Sequence, residues 1–169
     1  AFIIVQPVKG LNVRSSFGID YGNFYKRSLT YSYKTGYLES DKTSVLMEQA
    51  HWTKWTWSNT ATYDFMIGKN RFETLLGMEM FKQEDINFSS QRDGFALEDP
   101  NFMWPDQGSG NSLVTGGSTG YNLMSYFGKV SYAYDDKYLA SATLRHDGSS
   151  RFGKNNRWGT FPAFNLGWR

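Results

Sequence analysis

The sequence predicts an all-β, antiparallel, up-and-down transmembrane β-barrel, with about seven strands of a larger barrel contained in its 169 residues. Three observations predict it. Apolar and polar side chains alternate with a period of two over long runs, which sends them to opposite faces of a strand. Aromatic residues make up 18% of the chain while its mean hydropathy is −0.55, so the two classes must be segregated within each element. Tight turns alternate with long polar connections, as in outer-membrane barrels.

The strands follow in order. Ala1–Val8 reads as the first. In Leu11–Tyr21, Leu11, Val13, Phe17, Ile19 and Tyr21 oppose Asn12, Arg14, Ser16 and Asp20. The stretch WTWSNTATYDF, Trp55–Phe65, puts Trp55, Trp57, Ala61, Tyr63 and Phe65 on one face, broken only by Asn59. Thr56, Ser58, Thr60, Thr62 and Asp64 fill the other. Arg71–Phe81 sets Phe72, Leu76, Met78 and Met80 against Arg71, Glu73 and Glu79. Met124–Tyr134 sets Met124, Tyr126, Val130, Tyr132 and Tyr134 against Ser125, Lys129 and Ser131. Tyr138–Asp147 sets Tyr138, Ala140, Ala142 and Leu144 against Ser141, Thr143 and Arg145. Trp158–Trp168 sets Trp158, Phe164, Leu166 and Trp168 against Asn165, with Arg169 following on the polar side. Only Thr43–Ala50 carries a trace of helical period.

Lys9-Gly10, Ile67–Asn70 and Asp135–Lys137 read as tight turns. The stretches 22–51, 82–122 and 148–157 read as long loops, and Asp106–Gly120 (DQGSGNSLVTGGSTG) as a mobile one. The competing architecture is a soluble β-sandwich, whose strands also alternate. Strand length argues against it, because sandwich strands are usually nearer five or six residues. Aromatic spacing argues likewise. Trp158 and Trp168 bracket one strand and Trp55 and Phe65 another. Ten residues at ~3.3 Å, tilted ~45°, rise ~23 Å, against an apolar band ~25 Å tall with aromatic girdles at both rims. The aromatic face then meets lipid and the polar face a water-filled lumen. An open sheet cannot stand in hydrocarbon with unpaired edges, so further strands are expected from the same polypeptide or a partner. The chain begins and ends within strand patterns, which fits a piece of a longer polypeptide.

Chemistry is sparse. Lys plus Arg number 18 and Asp plus Glu 16, scattered rather than clustered, which leaves no electrostatic footprint for nucleic acid. There is no cysteine, and His51 and His146 lack companions spaced as metal ligands. Gly116–Gly120, GGSTG, matches the nucleophile-elbow pattern around Ser118 but lacks the strand before it and the helix after it. Asp93, Glu98, Asp99 and Asp106 are oxygen-rich but lack EF-hand spacing, so they read as a solvated loop. No catalytic, cofactor or metal residue is assigned. Phe95–Asp106, FALEDPNFMWPD, is the candidate contact for substrate or a lid, through Asn101, Phe102, Trp104 and Asp106; packing within the loop explains the aromatics equally well.

From Tyr138 the chain reads YLASATLRHDGSSRFGKNNRWGTFPAFNLGWR. Arg145, then Asp147, Gly148, Ser149, Ser150, Arg151, Phe152 and Gly153, then Arg157, Trp158 and Gly159, then Phe161 and Pro162, then Gly167, Trp168 and Arg169 form one motif. It resembles the barrel segment of SusC/RagA-type TonB-dependent transporters of Bacteroidetes outer membranes. Ser125–Leu139, Trp57–Phe65 and Leu75–Glu79 resemble the same family. Ala163 and Asn165 depart mildly, standing where Ser is more usual. The resemblance is dense over 122–169 and patchy before that.

The resemblance implies that residues 1–169 are a partial barrel domain in a bacterial outer membrane, the plug domain lying elsewhere. It implies a SusD-like surface lipoprotein as partner, outer-membrane lipid around the wall, energy from a TonB complex, and import of an oligosaccharide or peptide. The alternative is a soluble aromatic-rich β-module, such as a carbohydrate-binding domain. Within the motif, Gly148, Gly153 and Gly159 are expected at tight turns. Asp147, Arg151 and Arg157 are expected to pair in a charged lattice that pins the loop.

Overall fold

The computed structural model describes residues Ala1–Arg169, and every regular element in it is a strand. These are β1 (Phe2–Val8), β2 (Leu11–Thr30), β3 (Tyr33–Thr35), β4 (Leu38–Ser40), β5 (Ser44–Ile67), β6 (Asn70–Asp93), β7 (Ser112–Tyr134), β8 (Tyr138–Ser149) and β9 (Trp158–Trp168). Seven of them form one sheet in the order β1-β2-β5-β6-β7-β8-β9, and β3 and β4 form a separate hairpin. Neighbours in the large sheet are neighbours in sequence once that hairpin is set aside, which is an up-and-down meander.

Local chemistry sets the turns. Asp135 and Asp136 both have φ of 51°, and the Lys137 N–H donates to the Tyr134 carbonyl at 3.0 Å. That is a type I′ turn, whose backbone twist matches the flanking strands and whose left-handed positions Asp tolerates. Gly10 turns β1 into β2 at φ 88°, and a Cβ there would sit 2.5 Å from the Asp64 carbonyl oxygen.

Four strands run 20–24 residues, far beyond the alternating cores read from sequence. Residues 22–30, 44–51, 82–93 and 112–122, expected as loops, are extended and continue β2, β5, β6 and β7. Thr43–Ala50 is β5 from Ser44 onward, without helix, and the Gly/Ser stretch from Ser112 is the start of β7. The physical reason is that alternation reports a difference between two faces. In EDINFSSQR (84–92) only Ile86 and Phe88 mark one face, too short a run to show the period, while the strand continues.

The chain divides into two compact units. The first comprises Ala1–Asp20, Lys54–Gln83 and Gly120–Arg169. Its registers keep the two faces apart. Tyr126, Gly128, Val130, Tyr132 and Tyr134 of β7 sit opposite His146, Leu144, Ala142, Ala140 and Tyr138 of β8. Ala140, Ala142, Leu144 and Gly148 in turn face Leu166, Phe164, Pro162 and Trp158 of β9. The polar partners are Ser125 with Asp147, Lys129 with Thr143, Ser131 with Ser141, and Ser141 with Asn165. Most large apolar side chains of this unit are exposed, Phe164 at 76%.

The second unit, Tyr21–Thr53 and Glu84–Thr119, holds a small core. Val45, Phe95 and Met103 are buried, with Leu29 and Met47 packed against them. Thr43 Oγ1 accepts from the Phe95 N–H at 2.7 Å, which satisfies a donor in that core.

Candidate functional site

The aromatic face of the first unit is built from ring contacts across strands. Tyr63 and Phe65 lie 5.3 Å apart, Phe65 and Phe72 4.9 Å, and Phe72 and Tyr132 5.0 Å. The Tyr132 hydroxyl donates to Asn70 Oδ1 at 2.6 Å, so its polar tip is satisfied beside the Gly68-Lys69 turn. Tyr134 and Tyr138 continue the belt at 6.5 Å. At the other ends of β8 and β9, the His146 ring stacks on Trp158 at 4.7 Å and an interplanar angle of 5°, with Tyr126 at 6.2 Å. The aromatics thus gather at both ends of the strands and leave Val130, Ala142, Leu144 and Phe164 between them.

Charge at the tight turns is paired. Lys69 Nζ meets Asp135 at 2.9 Å and Arg71 Nη2 meets Asp136 at 2.8 Å. The hydrogen bond to Asp135 raises the Lys69 ammonium above its ordinary pKa of 10.5.

The motif from Arg145 to Arg169 sits differently from its sequence expectation. Gly148 and Gly159 lie within β8 and β9, and none of Gly148, Gly153 and Gly159 takes a left-handed conformation. Gly148 is required for space: a Cβ there would lie 2.8 Å from the indole of Trp158. The charged lattice is also narrower than expected. Arg145 Nε donates to both carboxylate oxygens of Asp147 at 2.8 Å, and its Nη2 donates to Ser125 Oγ at 3.1 Å. Arg151 and Arg157 do not reach Asp147. The Arg151 guanidinium instead lies 3.9 Å from the Tyr121 ring centroid, and Arg157 Nε donates to the Phe152 carbonyl at 3.4 Å. What pins the β8–β9 loop is a reciprocal pair of hydrogen bonds between Ser150 and the Asn122 backbone. The Asn122 N–H donates to Ser150 Oγ at 2.8 Å, and the Ser150 N–H returns to the Asn122 carbonyl at 3.0 Å.

In the second unit the candidate contact loop folds on Arg27. Its Nη2 donates to the carbonyls of Pro100 and of Met103, the latter at 2.7 Å. Its guanidinium lies 4.1 Å from the Trp104 ring centroid. The Trp104 indole N–H donates to the Asn101 carbonyl at 3.1 Å, and the Asn101 N–H donates to Asp99 Oδ1 at 2.7 Å. Asp106 accepts from Gln107 at 2.8 Å, and Glu98 accepts from the Ser32 N–H at 2.9 Å. Asp93 accepts from Gln91 at 3.2 Å, so Glu98 alone of these four acids bonds far along the chain, and no three come together as metal ligands. Phe102 is 56% exposed. Arg27 was not legible as part of this cluster, since nothing in the sequence links positions 27 and 104. His146 contacts Thr160 Oγ1 at 2.8 Å, and Ser118 lies within β7 with no helix after it.

A sheet of long antiparallel strands with an exposed aromatic face bounded by two belts, and a polar face laced by ion pairs, is the wall of a transmembrane β-barrel. No family model matches the chain. TonB-dependent receptor SusC of Bacteroides thetaiotaomicron is 36% identical over 105 residues, 61% of this chain and 10% of that protein. TonB-dependent receptor P26 of Formosa agariphila is 28% identical over 99% of this chain and 17% of its own length. Among solved structures, the RagAB peptide transporter superposes with a TM-score of 0.84 at 25% identity, and the RagAB peptide importer in a closed-closed state with 0.88 at 26%. Each superposition covers 96% of this chain and 18% of the matched one. Over nearly its whole length the chain thus resembles a barrel segment of SusC/RagA-type TonB-dependent receptors, a family of the Gram-negative outer membrane. It spans 10% and 17% of the two curated relatives just described. A soluble β-module is not favoured by these likenesses.

Proposed function

We propose that the chain supplies wall strands and loops to the barrel domain of a TonB-dependent importer that moves an oligosaccharide or a peptide across the outer membrane. The observation that carries this reading is the superposition of 96% of the chain on the barrel of a peptide importer, at a TM-score of 0.88. The polar face, with Arg145, Asp147, Arg71 and Glu73, then lines the water-filled path, and lipid covers the aromatic face. Plug and TonB-contacting segments belong to other parts of the polypeptide, and a SusD-like lipoprotein serves as lid. No catalytic step is assigned to any residue. Of the candidate contacts, Phe102 is the aromatic offered to the lid or cargo, while Trp104, Asn101 and Asp106 hold the loop in shape.

The test is uptake by cells carrying the full-length receptor. Deleting its gene removes TonB-dependent accumulation of one labelled glycan or peptide fraction, and restoring the gene returns it. A deletion strain that accumulates every glycan and peptide fraction as the parent does contradicts the proposal.

A further inference from the structure

The run from Gly148 to Arg169 contains the cations Arg151, Lys154, Arg157 and Arg169 and no Asp or Glu. The carboxylate that would neutralise its arginines, Asp147, is already held through both oxygens by Arg145. Arg151 is occupied by the Tyr121 ring. Arg157 is not: it gives one long hydrogen bond from Nε to the Phe152 carbonyl, and its two Nη groups have no partner. A guanidinium carries five donors in a planar fork that matches a carboxylate.

Arg157 borders a cavity of about 390 Å³ whose wall also includes Phe152, Phe161, Asn156 and the Arg145–Asp147 pair. The β8 and β9 lining residues Arg145, Asp147, Ser149, Gly159 and Phe161 belong to the polar face by register, Arg145 with Phe161 and Asp147 with Gly159. Phe161 and Phe152 are 58% and 61% exposed; Phe161 shares its face with Ser141, Thr143 and Asn165, and Phe152 lies in the β8–β9 loop beside it. Exposed phenylalanines on a water-lined wall neither pack a core nor meet lipid. With the Arg145 charge spent on Asp147, Arg157 leaves the cavity net positive. An apolar wall beside one unspent guanidinium is the pattern of a ligand site that holds a hydrophobic body and fixes one anionic group.

The geometry points to a carboxylate subsite here: the cavity takes a carboxylate of the cargo on the Arg157 fork, with Phe152 and Phe161 against the carbon skeleton beside it. The shared chemistry is a carboxylate flanked by an apolar surface, which either a uronate of an acidic glycan or a carboxylate of a peptide provides. This rests on the import reading for the word cargo; the binding site itself does not.

The experiment is calorimetric titration of the purified full-length receptor with two probe pairs. One pair is an oligogalacturonate and its methyl ester; the other is an acidic peptide digest and its methyl ester. One free acid binds, and its ester binds about tenfold more weakly or worse, since the ester cannot accept the charge-assisted fork. Arg157→Gln lowers affinity for the free acid to the level of the ester and leaves the ester unchanged, and Arg157→Lys recovers part of the loss. The pair that responds identifies the source. Folding of each variant is checked by its heat-dependent gel mobility, and Asn156→Ala, a milder change in the same wall, gives a smaller loss of the same kind. Failure of both acids to bind, equal affinity for acid and ester, or indifference to Arg157→Gln each overturns the subsite. Arg157-dependent binding without TonB-dependent uptake would leave the subsite standing and remove the import reading, whereas uptake indifferent to Arg157 does the reverse.

Discussion

The two units differ in one respect: both expose large apolar side chains, Leu113 and Val114 among those of the second, but the second also holds a small buried core. In the second, Val45 and Met103 are fully buried and Phe95 nearly so, and the loop that carries Met103 is tied down by Arg27. In the first, Phe164, Leu166 and Leu144 stand exposed along one face of β8 and β9. The same residue classes serve both, so composition alone does not distinguish them. Solvent does. A unit in water must bury its apolar surface within itself, while a wall in hydrocarbon needs only a polar face that closes its hydrogen bonds and an apolar face left bare.

That contrast makes four predictions, from the largest effect down. Met103→Ala leaves a cavity in a protein core and costs about 2–5 kcal/mol of local stability. It shows as faster amide exchange across residues 94–111, whereas Phe164→Ala, a larger truncation, costs little because lipid tails fill the space. Equal losses for the two would break the contrast. Ala142→Arg places a charge midway along the bare face and costs about 2–4 kcal/mol of barrel stability, while Thr143→Arg, one residue on, costs well under half of that. Folded fractions in urea titrations of the full receptor compare them directly.

Arg27→Lys keeps the charge but loses the placement of Nη2 between the Pro100 and Met103 carbonyls and the broad planar contact with Trp104. It loosens the loop by about 1–2 kcal/mol, read as increased proteolytic cutting between residues 96 and 108. The smallest effect is at the turns. Lys69 is raised by Asp135, so the pair's contribution is present below the ordinary lysine pKa and fades as pH rises through the raised value. Asp135→Asn brings the Lys69 titration down toward its ordinary position, as read by NMR of isotopically labelled lysine. Stability near neutrality barely changes, because an exposed pair contributes little.

The wall was legible in the sequence because its two faces meet different solvents, and Trp158, Phe164 and Trp168 against Thr143 and Asn165 declare it. The strand extensions were not. In Glu84–Arg92 only Ile86 and Phe88 mark one face, too few to signal a strand that pairing nonetheless maintains. The motif was legible as a family mark, but its physics was misread. Gly148 reads as a turn glycine until Trp158 is seen lying over it, and Asp147 reads as a partner for Arg151 and Arg157 until Arg145 is seen holding both its oxygens. Long-range placements such as Arg27 on Trp104 leave no local signature. They arise from the register of β2 and the course of a loop far along the chain.

The central claim is that one face of β8 and β9 meets lipid and the other meets water. The chain has no cysteine, so single cysteines at 140, 142 and 144, and at 141, 143 and 145, are introduced one at a time into a cysteine-free full receptor. Labelling in intact outer membranes with a charged, membrane-impermeant maleimide then reads each position. Strict alternation is the predicted result, with 141, 143 and 145 labelled and 140, 142 and 144 protected until detergent is added. Equal labelling of both sets in intact membranes would contradict the barrel-wall account.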